Sequence, residues 1–324
     1  MKFLPAFAAL LLAGCAIGLA PGASAQTFPN RTIKLIVPFP AGGPSDIISR
    51  VVGQAMGIEL GQSVIIENRA GVGGVTGIDA VARSAPDGYT IGLASAGALA
   101  VSPSLQKMPY NVETDLRPIT LVVKAPELLA VPASLPAKTL PELLKMARDK
   151  PGALNYASTG LGSVPHLAAE LFKFAGKVDI LHVPYSGAAP AVNDLLPGRV
   201  QMMFADIPVL LPHVKGGSLR ALAVGSAARV PSLPDVPTLS EQGLANVEAE
   251  NWYGFVAPAK TPDAVIARLN EAAVKALKSP EVAKILLDQG AVPSAGTPQA
   301  FTGFIKAQTV KWAEVIRVSG TKLE

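Results

Sequence analysis

Apolar residues fall along the chain in two alternating rhythms. Short β-branched runs such as Ile33-Lys34-Leu35-Ile36-Val37 predict buried strands, and each gives way to a segment with helical apolar spacing, first at Ile47, Ile48, Val51, Val52 and Met56. Pro38 to Pro44 separates that first pair, which makes a strand-loop-helix unit. A second strand at 64–67 enters the glycine-rich loop Gly71-Val72-Gly73-Gly74, a helix follows at 76–84, and a third strand is predicted at 89–93. Further strands are expected at 119–123 and 128–131, on either side of Pro126, and at 154–157, 180–183, 200–204, 219–224 and 254–257. Helices are expected at 140–149, opened by Thr139-Leu140-Pro141-Glu142, after Pro165, Pro190, Pro262 and Pro280, and over 299–316. Strands alternating with helices make this an α/β chain whose sheets are mainly parallel and flanked by helices.

In such sheets ligands bind where loops leave the carboxyl ends of strands. Residues 37–44 (Val-Pro-Phe-Pro-Ala-Gly-Gly-Pro) and 183–190 (Val-Pro-Tyr-Ser-Gly-Ala-Ala-Pro) repeat one device: a strand end, Pro, an aromatic residue, small residues, and a Pro at a helix start. The two copies are either ordinary tight connections or loops that face each other across a cleft, offering amides and positive helix ends to an anion. Ser158-Thr159-Gly160-Leu161-Gly162-Ser163 clusters hydroxyls and amides before Val164-Pro165-His166, with Ser163 placed to cap the helix. Ser95-Ala96-Gly97 adds a similar polar loop after the third strand. None of these loops contains Lys or Arg, so an anion held there is bound by dipoles and hydrogen bonds.

Composition narrows the field. Of 324 residues, 49% are hydrophobic and only 16% charged, with 28 Lys plus Arg against 24 Asp plus Glu for a formal charge of +4. This excludes a disordered chain and a nucleic-acid binder with a dense basic patch. The length, with 30 Gly and 29 Pro, favours two compact lobes over one. Lys2, the apolar run 3–12 and Ala23-Ser24-Ala25 form a secretory signal cleaved after Ala25, which points to the periplasm. Leu12-Ala13-Gly14-Cys15 offers the competing reading of a lipoprotein with Cys15 as anchor. No other stretch is long and apolar enough to span a bilayer. Cleavage after Ala25 removes the single cysteine and leaves no thiol for redox or metal chemistry.

Catalytic and cofactor motifs are missing from the sequence. No Gly-x-Ser-x-Gly elbow occurs, which argues against a serine hydrolase. His166, His182 and His213 lack the spacing of a zinc site, and His166, near a helix start, reads as a capping or packing residue. Gly71-x-Gly73-Gly74-x-x-Gly77 has the wrong spacing for a dinucleotide fingerprint and reads as a turn set by backbone geometry. No metal or cofactor is therefore expected.

Several segments, in order and spread over nearly all of the chain after residue 26, resemble one family. They are IKLIVPFPAGGPSD (33–46), ENRAGVGG (67–74), APDGYT (85–90), LNYAS (154–158), HVPY (182–185), LRALAV (219–224) and WYG (252–254). Together they resemble the Bug-type extracytoplasmic solute receptors of tripartite tricarboxylate transporters. The resemblance implies a periplasmic binding protein of the two-lobed, type II-like kind, with residues 26–124 and 225–324 in one lobe and 125–224 in the other. It also implies a small organic carboxylate as ligand, mono- or dicarboxylate and aromatic acids included, the transporter's membrane components as partners, and a monomer. Carried over position by position, ligand contacts fall on Phe39, Ala41, Gly42, Gly43, Ser45 and Asp46, on Ser95 and Ala96, and on Ser158, Thr159 and Ser163. Ala205-Asp206 and Val164-Pro165 depart from the family pattern. Asp206 follows a strand and either points into the cleft, accepting a hydrogen bond from the ligand's far end, or caps the helix before Pro208. The competing function class is an exported, esterase-like hydrolase on a similar scaffold.

Overall fold

The computed structural model describes residues 28–245 and 247–322. The expected signal at 1–25, its cleavage after Ala25 and the lipid site at Cys15 lie outside the described residues.

The first stretch lays down β1 (Ile33–Val37), α1 (Pro44–Leu60), β2 (Val64–Asn68), α2 (Val75–Ala82) and β3 (Thr90–Ser95). A π-helical turn over Gly97–Val101 runs into the short α3 (Ser102–Leu105), and β4 (Leu116–Pro132) follows. Next come α4 (Leu140–Asp149), β5 (Asn155–Ser158), α5 (Val164–Gly176), β6 (Leu181–Pro184), α6 (Ala188–Leu195), β7 (Met202–Asp206), α7 (Ile207–Lys215) and β8 (Leu219–Val224). The last stretch holds β9 (Glu250–Pro258), α8 (Asp263–Lys278), α9 (Pro280–Asp288), β10 (Val292–Pro293) and α10 (Pro298–Ser319). Several strands run one or two residues past the end that hydropathy assigns them. Four of these extensions end on a polar residue: Asn68, Ser95, Ser158 and Asp206 are each the last residue of a strand.

Residues 119–131 form part of one strand and not two. Pro126 lacks a ladder donor, which is why the sequence predicts a break there. In β4 it sits opposite Glu250, where β9 begins, so the missing N–H falls at the end of a pairing and the strand continues.

The sheet order is β2-β1-β3-β9-β4-β7-β5-β6. Parallel strands occupy both flanks, β2-β1-β3 on one and β7-β5-β6 on the other, while β9 and β4 run antiparallel between them. Beyond Pro126 the place of β9 beside β4 passes to β8. Glu127 sits at the join: its N–H donates to the Ala249 carbonyl (3.1 Å) and its carbonyl accepts from the Gly225 N–H (2.7 Å).

One core gathers Ile33, Leu35, Val52 and Met56 with Phe255 and Leu269; a second gathers Leu128, Leu195, Met203 and Leu210, joined by Val230 and Leu233 from the loop after β8. A third runs across both flanks of the sheet, because α10 packs on the π-helical turn, β4 and α5. Trp252 of β9 meets Phe301 and Phe304 of α10 edge-on, with ring centroids 5.8 and 5.2 Å away.

That packing rests on Gly254, where an added Cβ falls 2.0 Å from the Phe301 ring. Gly254→Ala should lower unfolding free energy by about 1–3 kcal/mol through overpacking. Gly303→Ala, exposed in α10 with nothing within 4 Å, should raise it by roughly 0.5–1 kcal/mol. Urea unfolding of both variants checks the pair, and equal midpoints would mean that α10 does not pack on β9.

Candidate functional site

The carboxyl ends of β1, β3, β5 and β7 and the loops after them converge on one narrow cleft with about 40 Å³ free inside it. After β1, Phe39, Ala41, Gly43 and Ser45 line it; after β3, Ser95 and Gly97; after β5, Thr159 and Ser163. Asp206, at the end of β7, completes the set with Asn251 and Tyr253 of β9. The two copies of the Val-Pro-aromatic device do meet. Ala188 and Ala189 line the cleft opposite Phe39 and Pro40, and a Cβ on Gly187 falls 3.2 Å from the Pro40 ring.

Of the residues expected from sequence, Gly42, Asp46, Ala96 and Ser158 stand behind the lining. Gly42 adopts φ +82° and donates its N–H to Asp46 Oδ2 (3.0 Å). Asp46 also accepts from Arg50 Nε (2.9 Å) and Nη2 (3.0 Å) and from Asn68 Nδ2 (3.0 Å), which in turn donates to the Phe39 carbonyl (3.1 Å). Burial alone raises the Asp46 pKa, yet Arg50, the Gly42 amide and Asn68 outweigh it and hold the carboxylate below its ordinary range. Asp46 therefore fixes the first loop. Ala96 is buried behind Ser95 and Gly97.

Ser158 has no exposed surface. Its Oγ accepts from the Gly160 amide (3.2 Å) and lies 2.7 Å from His182 Nε2. This pair has the distance of a nucleophile and its base, but Ser158 does not reach the cleft and its hydroxyl shapes the loop. Ser163 Oγ donates to the Gly160 carbonyl (2.7 Å) and caps α5 by accepting from the His166 N–H (3.4 Å). His166 packs below: its Nδ1 accepts from the Gly162 N–H (3.2 Å), and its ring stacks on His182, with centroids 4.2 Å apart. Tyr156 extends the stack, 4.7 Å from His182.

Helix starts supply the donors. In the first turn of α1 the amides of Ser45 and Asp46 have no intrahelical acceptor, and the same holds for Val164 in α5 and for Ala188 and Ala189 in α6. The Ser45 hydroxyl is buried and has no partner. Among the described residues no Lys or Arg lines the cleft.

Asp206 occupies the cap position of α7, yet its side chain makes no capping bond. Its carboxylate accepts instead from Asn251 Nδ2 (3.1 and 3.3 Å) and the Tyr253 hydroxyl (2.5 Å). Glu127 faces it across the β4–β7 pairing. Because Glu127 spends its backbone bonds on Ala249 and Gly225, this is the non-hydrogen-bonded kind of pair, in which opposed side chains lie closest. Both Glu127 carboxyl oxygens are buried without a hydrogen-bond partner. Burial, reinforced by Asp206, pushes the Glu127 pKa well above its usual value; burial also lifts Asp206, to about 6, against the lowering by Tyr253 and Asn251. Burial thus pushes both carboxyls of the pair toward the neutral form, Glu127 the more strongly, and together they hold a proton more tightly than an isolated carboxyl does. Nothing in the sequence marks Glu127 or Asn251, since strand pairing alone brings them to Asp206, and Gly73, which reads in sequence only as part of a turn, reaches the lining.

The fold and this cleft define a two-lobed α/β solute-binding protein. The chain belongs to the tripartite tricarboxylate transporter family of receptors, whose family model matches residues 48–321. Protein BugT of Bordetella pertussis is 41% identical over 309 residues, 95% of each chain. The structure of R. palustris Rpa4515 with adipate superposes with a TM-score of 0.88 at 35% identity, covering 90% of this chain and 98% of that one. MatC (Rpa3494) from Rhodopseudomonas palustris with bound malate superposes with a TM-score of 0.85 at 33% identity, covering 89% and 100%. Among the described residues no helix is long and apolar enough to cross a membrane.

The histidine stack generates a test. Burial, with Lys173 adding to it, lowers the His166 pKa from 6.5 to about 4. The unfolded chain therefore binds the proton more readily between these values, and stability falls as pH drops from 6.5 toward 4. Wild type should lose up to roughly 3 kcal/mol relative to His166→Gln over that window, because each tenfold difference in proton affinity between the folded and unfolded chain is worth about 1.4 kcal/mol. Denaturant titrations of both proteins across the range measure it, and a difference independent of pH would mean that the imidazole is not buried neutral.

Proposed function

We propose that the chain captures a small organic carboxylate in this cleft and presents it to the membrane components of a tripartite transporter. The observation that carries the reading is the buried, partnerless hydroxyl of Ser45, beside helix-start amides from α1, α5 and α6 and with no competing cation. Each helix terminus contributes on the order of 0.3–1 kcal/mol toward an anion, more when partly buried, and several together support micromolar binding. The acids bound by Rpa4515 and MatC agree with this choice of ligand.

The polypeptide crosses between lobes twice, and we place the crossings at residues 125–127 and 249–251, where β4 meets β9 and Glu127 joins Gly225 and Ala249. This departs from the boundary at 224/225 expected from sequence, because Val230 and Leu233 pack on the Leu128 core and so go with the lobe of β5–β8. The receptor works as a monomer without catalysing a reaction, and Ser158 belongs to the loop scaffold. It is exported by the signal at 1–25 and cleaved after Ala25; intact mass distinguishes this from a lipidated chain beginning at Cys15.

Calorimetry with a panel of mono- and dicarboxylates, neutral sugars and cationic amines tests the ligand class. At least one carboxylate should bind and the others should not; tight binding of sugars or amines alone would sink the reading. Ser45→Ala should weaken the bound acid by about 1.5–3 kcal/mol, the range for a hydrogen bond to a charge, without lowering stability, because it removes an unpaired buried hydroxyl. Small-angle scattering should show a smaller radius of gyration with saturating ligand, and superimposable curves would count against closure.

A further inference from the structure

The lining of the cleft makes opposite demands on whatever enters. Free amides and the Ser45 hydroxyl call for negative charge, whereas Asp206, the only acidic side chain among the described residues of the lining, repels it. We propose that the cleft takes its ligand with one carboxylate on the helix-start amides and a hydrogen-bond donor on Asp206, so that a dicarboxylate enters only with one proton, taken from water and held between its distal carboxyl and Asp206. This rests on the carboxylate reading above and names the ligand class for it.

The surroundings of Asp206 leave a second anion without compensation. Its oxygens already accept from Asn251 and Tyr253, and it is fully enclosed except toward the cleft. The titratable groups acting on it are Glu127 on β4 and Tyr253 on β9, neither of which is a cation. Glu127 adds a second carboxyl in the closest kind of cross-strand pair; it favours the charged form of Asp206 but brings no positive charge with which to meet a second anion. Two carboxylates forced together in a dry site do not both stay ionised; one proton bridges them. A ligand hydroxyl or ammonium meets the same oxygen with a proton of its own, so ω-hydroxy and ω-amino acids need no uptake.

The test is calorimetry of wild-type protein with succinate, glutarate and adipate and with the ω-hydroxy acids of the same chain lengths, each in two buffers of different ionisation enthalpy near neutral pH. The dicarboxylates should bind with uptake of about one proton, their affinity falling about tenfold per pH unit above neutrality, while the hydroxy acids bind with none. Asp206→Asn should abolish the uptake and raise dicarboxylate affinity, relative to the hydroxy acids, at least about tenfold. Dicarboxylates that bind without proton exchange and as tightly as the hydroxy acids would overturn the proposal, a result read on wild type whether or not the variant folds. If no acid in either series binds, while a sugar or amine does, the carboxylate reading itself fails and the proposal falls with it.

Discussion

The antiparallel ladder between β4 and β9 is the constraint on which the rest of the structure depends. These strands run side by side from Leu116 to Pro126 and from Glu250 to Pro258, with β3 against β9 on one flank and β7 and β8 against β4 farther along. The same short stretch that joins the two halves is the floor of the cleft. Asn251 and Tyr253 come from β9, Glu127 follows the last residue paired to it, and Asp206 enters from β7. The buried carboxyl pair thus sits at the joint, where a shift of either half changes its geometry.

A second constraint is how closely the halves approach at the rim. A Cβ on Gly73 would lie 3.2 Å from the Leu161 carbonyl oxygen, and one on Gly97 would lie 3.3 and 3.4 Å from those of Gly73 and Gly162. Gly73, Gly160 and Gly162 also hold positive φ, which side chains resist. Backbone therefore meets backbone across the rim, and long cationic side chains have no room between the loops. Main-chain dipoles are what this geometry leaves to meet a charge, and the absence of Lys and Arg from the four loops follows from the same close approach.

The glycine-rich and hydroxyl-rich loops were legible in sequence because their chemistry is local. Pro-aromatic-Gly-Pro, Ser-Thr-Gly-x-Gly-Ser and the strands before them announce tight turns that open helices, and it is the resemblance to the receptor family that puts ligand contacts on them at Phe39, Gly43, Ser45, Ser95, Thr159 and Ser163. Non-local contacts were not legible. Asp46 looks like a ligand residue until Arg50 and Asn68 are seen to occupy it, and Ser158 until His182 and Gly160 do. Glu127 and Asn251 reach Asp206 only through strand pairing across 79 and 45 residues. Pro126 misleads for a related reason, since whether a missing N–H breaks a strand depends on where the partner strand begins.

The distribution of donors also bears on release. The amides of α1 belong to the half built on β1, and those of α5 and α6 to the half built on β5. Neither half alone surrounds an anion, and each amide is fixed in direction by its own helix. In the proposed opening, the grip on a carboxylate is divided simply by separating the halves, without breaking an ion pair to a buried cation. α7 differs in having an acid at its cap position, Asp206, whose carboxylate is held by Asn251 and Tyr253 and not by the helix amides. Attraction and repulsion then come from one architecture: helix starts left bare where the carboxylate is held, and in the same lining a buried acid to which the rest of the ligand must bring a proton of its own.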